Sequence, residues 1–184
     1  MRIITGKYKG RTLASAKGID IRPVTDRVKQ VIFDLFQTRI NVNNINVLDA
    51  FCGTGSLGLE ALSRGAKNVV FVDSAPQSLN VLKKNISLLK ANEQCEIIRG
   101  DAMQYFERTK QQFDIIFADP PYAFERTGEI PFLISEKKML NSDGFLIIEH
   151  AKQLREWKNN PKISLSKTFG NTIVTFFQNT TQKT

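Results

Sequence analysis

The chain reads as an α/β protein: a doubly wound parallel sheet with an antiparallel C-terminal hairpin, preceded by a small basic hairpin and a helix. Three observations predict this. From residue 45 to residue 149, short apolar runs alternate with amphipathic stretches, the pattern of parallel strands joined by helical crossovers. A glycine-rich turn, Gly53-Thr54-Gly55-Ser56-Leu57-Gly58, lies between the first run and the first crossover helix. A stiff turn, Asp119-Pro120-Pro121-Tyr122, ends the apolar run Phe113–Ala118. Two consecutive prolines neither donate ladder hydrogen bonds nor continue into a helix.

The elements follow in order. Residues 2–18 alternate loosely about Gly6-Lys7-Tyr8-Lys9-Gly10 and predict a basic hairpin. Arg22-Pro23-Val24-Thr25 leads into a helix capped by Thr25 or Asp26, with Val28, Val31, Ile32, Leu35 and Phe36 on one stripe and Arg27, Lys29 and Gln30 off it. Polar Asn41–Asn46 is the expected junction, so residues 1–40 form an extension on a main domain of residues 41–184. Strands are expected at Ile45–Ala50, Asn68–Asp73, Cys95–Arg99, Phe113–Asp119 and Phe145–Glu149, the last after an Asp143-Gly144 turn. Helices are expected from the glycine turn to about Arg64, then at Ala75–Lys90, Ala102–Thr109 and Pro131–Leu140. Ile163–Phe169 and Thr172–Gln178 form the closing hairpin across Gly170-Asn171, and Asn179–Thr184 is expected to fray.

With 184 residues and 41% hydrophobic content, the chain can bury a full core. Its net charge is +8, and residues 1–40 carry nine Lys or Arg against Asp20, Asp26 and Asp34. Most of the excess therefore precedes a nearly neutral body, which suits a polyanionic partner such as nucleic acid. Two distant cysteines, Cys52 and Cys95, match no metal spacing and fit a reducing, cytoplasmic setting. No run approaches the 18 or so apolar residues of a membrane span, and the first residues carry no apolar signal core. A monomer is expected.

Gly53, Gly55 and Gly58 satisfy G-x-G-x-x-G, and Asp73 ends the next strand twenty residues after Gly53. That is a Rossmann-like dinucleotide fingerprint, and alone it points to a nicotinamide cofactor. Three carboxylates redirect it. Asp49 precedes the glycines at the strand mouth, where it would repel a diphosphate and attract an ammonium or sulfonium. Asp101, just past the third strand, is placed to accept from an adenine amine, and Asp119 ends a fourth strand. A cationic nucleoside fits this set, and the expected cofactor is S-adenosylmethionine. Its expected contacts are Asp49, Phe51, Cys52, Gly53, Thr54, Gly55, Asp73, Ser74, Asp101, Ala102 and Asp119.

Asp49-Ala50-Phe51-Cys52-Gly53-Thr54-Gly55-Ser56-Leu57-Gly58, together with Asp119-Pro120-Pro121-Tyr122, is similar to the amino-methylating branch of the class I methyltransferases. Arg2-Ile3-Ile4-Thr5-Gly6-Lys7-Tyr8-Lys9-Gly10-Arg11-Thr12-Leu13 and Ile21-Arg22-Pro23-Val24-Thr25-Asp26-Arg27-Val28-Lys29 narrow the resemblance. They resemble the bacterial RsmD family, which methylates N2 of a guanine in 16S ribosomal RNA. The likeness spans essentially the whole chain, with Thr5-Gly6 where that family usually has two glycines. It implies a class I methyltransferase fold and S-adenosylmethionine. It implies 16S rRNA as partner, free, in the small subunit or in an assembly intermediate. Asp119 and the Pro120 carbonyl would hold the base amine, Pro121 would stiffen the turn, and Tyr122 would stack on an unpaired base. Arg2, Lys7, Lys9, Arg11, Arg22, Thr25 and Arg27 would bind RNA, Arg22, Thr25 and Arg27 through the family's Arg-Pro-x-Thr-x-Arg pattern, with Tyr8 as a second stacking ring. His150 and Trp157 read as structural. The competing readings are an adenine-N6 methyltransferase on RNA or DNA, a non-catalytic RNA-binding module and, more distantly, a nicotinamide oxidoreductase.

Overall fold

The structure, a computed structural model, describes residues 1–15, 26–39, 42–152, 157 and 162–179, with backbone alone at 26, 27 and 35–39. Its elements are α1 (Asp26–Arg39), β1 (Asn46–Ala50), α2 (Ser56–Ser63), β2 (Asn68–Asp73), α3 (Pro76–Leu89), β3 (Cys95–Arg99), α4 (Ala102–Arg108), β4 (Phe113–Ala118), α5 (Ile130–Glu136), β5 (Leu140–Ala151), β6 (Ile163–Phe169) and β7 (Thr172–Gln178). Together the strands make a seven-stranded sheet in the order β3-β2-β1-β4-β5-β7-β6. The first five run parallel, and β7 pairs antiparallel with both β5 and β6. The chain winds outward from β1 to β3 and then returns to β4. The switch point between β1 and β4 is where such sheets bind ligands, at the strands' C-terminal ends.

Side-chain alternation splits the core into two layers. Val47, Val69, Phe71, Ile115, Phe117, Phe145 and Ile147 face α1, α2 and α3. Leu48, Val70, Val72, Ile116, Leu146 and Ile148 face α4, α5 and Trp157. The N-terminal hairpin adds Ile3, Tyr8 and Leu13 to the first layer. Its backbone is antiparallel, with a bridge between Arg2 and Thr12, and the Ile3 N–H donates to the Arg11 carbonyl at 3.0 Å. Only the Gly of the Thr5-Gly6 pair is sterically demanded: Gly6 has φ +86°, and a Cβ there would stand 1.9 Å from the Ser63 carbonyl oxygen. Thr5 is held through its own N–H, which donates to Glu60 at 3.0 Å.

Four expectations differ from what forms. The last parallel strand begins at Leu140, not Phe145. Asn141–Gly144 are absorbed as an irregularity, since Phe113 pairs with Leu140 and Ile115 with Phe145. The Asn141 amide donates to Asp114 at 2.8 Å, and that of Asn179 to the carbonyls of Leu140 and Asn141, so turn-like residues are stitched into the sheet. The helix α5 ends at Glu136 rather than Leu140, because Lys138 takes φ +53°. Lys29, expected off the apolar stripe, is fully buried; its ammonium donates to the Arg2 carbonyl at 2.8 Å. Tyr8, expected to face a base, is buried in the core. The expected cap at Thr25 and the fraying at 180–184 lie outside the described residues, and no described helix is long and apolar enough to cross a membrane.

Candidate active site

A cavity of about 630 Å³ opens at the C-terminal ends of β1, β2, β4 and β5. The glycine turn builds one wall. Gly55 has φ +84°, and its N–H donates to the Cys52 carbonyl at 2.8 Å, closing the turn ahead of α2. At Gly58 a Cβ would lie 2.4 Å from the Phe71 ring, so only glycine lets α2 approach β2 this closely. The Gly58 N–H donates to Asp49 at 2.8 Å. Asp73 splints the turn from the other side, accepting from Gly53 and from Ala75, each at 2.7 Å.

Burial pushes the Asp49 carboxyl up to about 8; the Gly58 hydrogen bond opposes this, and the Asp73 charge adds to it. That shift favours the neutral carboxyl in the empty cavity, and a cation beside it would favour the carboxylate. Burial, with the same two carboxylates, also pushes the Cys52 thiol well above its ordinary value, so it stays a thiol. Asp101 caps α4, accepting from Gln104 at 2.8 Å, and the Gly100 N–H donates to the Asp73 carbonyl at 3.0 Å. Phe51, with φ +57°, meets Phe124 edge-on at 5.2 Å.

The Asp119 turn forms the opposite wall. Pro120 is buried, while Pro121 is exposed and its carbonyl accepts from the Phe124 N–H at 2.8 Å. The Tyr122 ring is 43% exposed, with its hydroxyl hydrogen-bonded to that of Thr172 at the start of β7. Hence the antiparallel hairpin reaches the site and touches the expected stacking ring.

Of the residues expected at the cofactor, all but Gly55 line this one cavity, together with Pro120, Pro121 and Tyr122. The basic residues are elsewhere. Arg2, Lys7, Lys9 and Arg11 are exposed on the hairpin. The Lys7 N–H donates to the Ser63 carbonyl at 2.6 Å, at the far end of α2 from Ser56, which lines the cavity. Eight helical residues put about 12 Å between the two ends. Arg22 and Thr25 lie outside the described residues, as does the Arg27 side chain.

Sequence reading missed Ser56, Ser78, Phe124 and Glu149, which also line the cavity. Glu149 was legible in principle. It follows Phe145 and Ile147 at a spacing of two, which puts it on their face of β5, next to the strand that leads into Asp119. His150 and Trp157 are structural. Burial lowers the histidine's pKa, and its Nδ1 carries the proton toward the Ala151 carbonyl at 3.0 Å, an assignment made from that acceptor. Trp157 stacks edge-on to it at 4.8 Å and donates to the Gly128 carbonyl at 3.0 Å.

The ionisable side chains lining the cavity include Asp49, Asp73, Asp101, Asp119 and Glu149, and among the described residues no Lys, Arg or His joins them. Such a lining suits a cationic nucleoside and repels a diphosphate.

The model of the family described as conserved hypothetical protein 95 matches residues 1–178. The chain belongs to that family. The match runs from the hairpin, through the glycine turn and Asp119, to the end of β7. A Haemophilus influenzae relative named ribosomal RNA small subunit methyltransferase D is 36% identical over 155 residues, covering 83% of this chain and 79% of its own. The Bacillus subtilis protein YlbH is 34% identical over 183 residues, 97% of this chain and 98% of its own. Among solved structures, yhhF of Escherichia coli superposes with a TM-score of 0.87 at 28% identity, over 99% of both chains. The fold is the class I methyltransferase fold, as the RsmD resemblance implied.

Proposed function

We propose that this protein transfers a methyl group from S-adenosylmethionine to the exocyclic N2 amine of a guanine in 16S ribosomal RNA. The observation that carries the reading is one cavity joining a carboxylate-lined glycine turn to the Asp119-Pro120-Pro121-Tyr122 turn. Kinship to the Haemophilus small-subunit enzyme supplies the RNA class.

Bound S-adenosylmethionine supplies a methyl group already activated on a sulfonium. Asp49 and Asp73 would hold the ammonium and the ribose hydroxyls, and Asp101 the adenine amine. Phe51 would pack beside the nucleoside. An exocyclic base amine is a poor nucleophile, because its lone pair is delocalised into the ring. Asp119 would accept one of its hydrogens and the Pro120 carbonyl the other, localising that lone pair and stabilising the positive charge that develops on nitrogen. The target nitrogen would take the methyl group as the S–C bond to the sulfonium broke, and would then give its proton to Asp119 or to water. Tyr122 would stack on the flipped base. The basic residues of the first 40 would grip phosphates, so affinity falls with salt.

Mass spectrometry of nucleosides from small-subunit RNA of a deletion strain tests the reading. N2-methylguanosine should fall and return with the wild-type gene, but not with Asp119→Ala. An unchanged N2-methylguanosine level sinks it, and loss of N6-methyladenosine in its place moves the activity to adenine.

A further inference from the structure

The Asp119 turn can hold any exocyclic amine on a planar base, so something else must tell guanine N2 from adenine N6. Glu149 is placed to do so. In the pairing of β4 with β5, Ala118 stands opposite Ile148; Asp119 follows just past the end of β4, and Glu149 follows within β5. Adjacent strands lie about 4.8 Å apart, so the two carboxylates leave neighbouring points of one sheet edge. Alternation puts both on the face of Phe117 and Ile147. Both line the cavity, and Glu149 is 9% exposed.

The two amines have different neighbours. Beside N2, guanine carries N1–H, a donor. Beside N6, adenine carries N1 with a lone pair, an acceptor. A carboxylate next to Asp119 completes a two-point match to guanine: Asp119 takes an N2 hydrogen and Glu149 takes N1–H. Against adenine the same carboxylate faces a lone pair, leaving two buried acceptors opposed. We infer that Glu149 is the specificity-determining residue that reads guanine N1–H beside the target amine. This rests on the proposed methyl transfer to guanine N2, and extends it to a residue that neither motif contains.

2-Aminopurine tests it, because it keeps the N2 amine but replaces N1–H with a lone pair. Small-subunit RNA is prepared with guanine or 2-aminopurine at the mapped target, and methyl transfer is measured by mass spectrometry. The wild-type protein should favour guanine at least tenfold in kcat/KM, since a site built to bond a substrate N–H rejects the analogue lacking it. Glu149→Gln can turn its amide to donate to N1, so the ratio should fall toward unity or invert. A Glu149 that only supports the fold would lower both rates together and leave the ratio as in the wild type, which overturns the inference. Cofactor affinity by calorimetry should stay within about twofold, which separates a recognition defect from a collapsed site. If Glu149→Gln does not fold, Glu149→Asp replaces it. It should lower kcat/KM on guanine severalfold while keeping the preference, and unchanged kcat/KM on both bases would overturn the inference. Wild-type protein that makes no N2-methylguanosine defeats the functional proposal instead. Wild-type protein that makes it, with a ratio unmoved by substitution, defeats only the Glu149 assignment.

Discussion

Lys29 and Glu60 face each other across 3.9 Å with neither side chain exposed to solvent. Glu60 also accepts from the N–H groups of Ile4 at 2.8 Å and Thr5 at 3.0 Å, and from Arg64 at 2.9 Å. Lys29 donates to the Arg2 carbonyl and reaches the Ser56 hydroxyl at 3.4 Å. The pair thus ties hairpin, α1 and α2 together beside a residue that lines the cavity. Removing one member leaves the other charged and buried, so Glu60→Ala should cost roughly 3–5 kcal/mol of stability in urea unfolding. Lys29→Met with Glu60→Gln should cost less than the two single changes added together. Strict additivity would show that the pair is not coupled.

Two glycines of the hairpin share a backbone conformation but differ in surroundings. Gly6 has φ +86° and no room for a Cβ, whereas Gly10 has φ +79° and nothing within 4 Å. Gly10→Ala should cost about 1 kcal/mol, the penalty of left-handed backbone alone. Gly6→Ala adds a clash with the rigid Ser63 backbone, and should cost several times more by thermal or urea unfolding. Equal losses would mean that the hairpin does not dock on α2 as described.

These contrasts mark what the sequence can and cannot show. β2, β6 and β7 form at their expected residues, and so does the Gly170-Asn171 turn. Their signals are local: β-branched and aromatic runs bounded by turn formers. Glu149, Lys29 and the start of β5 depend on partners far along the chain. Lys29 looks like a solvated cation until Glu60 and the Arg2 carbonyl are beside it. Asn141–Gly144 looks like a free turn until Asp114 and Asn179 bind it. The glycine turn and the Asp119 turn were legible because each packs its chemistry into consecutive residues. The Tyr122–Thr172 contact spans fifty residues and carries no sequence signal.

That contact has a measurable consequence. A ring that stacks on a base works best when its plane is fixed before the base arrives. Thr172 is 1% exposed and begins a strand, so Thr172→Val keeps volume and β-branching and removes only the hydroxyl. Losing one neutral hydrogen bond is worth about 0.5–1.5 kcal/mol, so KM for RNA should rise roughly twofold to tenfold with cofactor affinity unchanged. Tyr122→Phe should do the same, and the double variant should be no worse than either single one. Additive effects would show that the two hydroxyls act separately.

On the proposed function, Asp49 should make cofactor binding depend on pH. Its carboxyl titrates at about 8 in the fold against an ordinary 3.8, because burial disfavours the charged form. Below pH 4 it is neutral in both folded and unfolded chains, and its contribution to stability is fully present. As pH rises toward 8 the unfolded chain ionises freely while the folded one resists, so that contribution is progressively lost. A cation bound in the cavity needs the carboxylate. Between pH 5 and 8, affinity for S-adenosylmethionine should therefore climb by up to about tenfold per pH unit, with release of one proton on binding. Calorimetry in buffers of different ionisation enthalpy counts that proton. Asp49→Asn keeps the acceptor for the Gly58 N–H and removes the titration. Its affinity should be weaker at pH 8 and nearly flat below it, and its unliganded form should be the more stable one at pH 8. Any titration of the cofactor's own amine is common to both proteins, so the difference between the two profiles isolates Asp49. A wild-type affinity that is flat from pH 5 to 8 would remove Asp49 from the cation's surroundings.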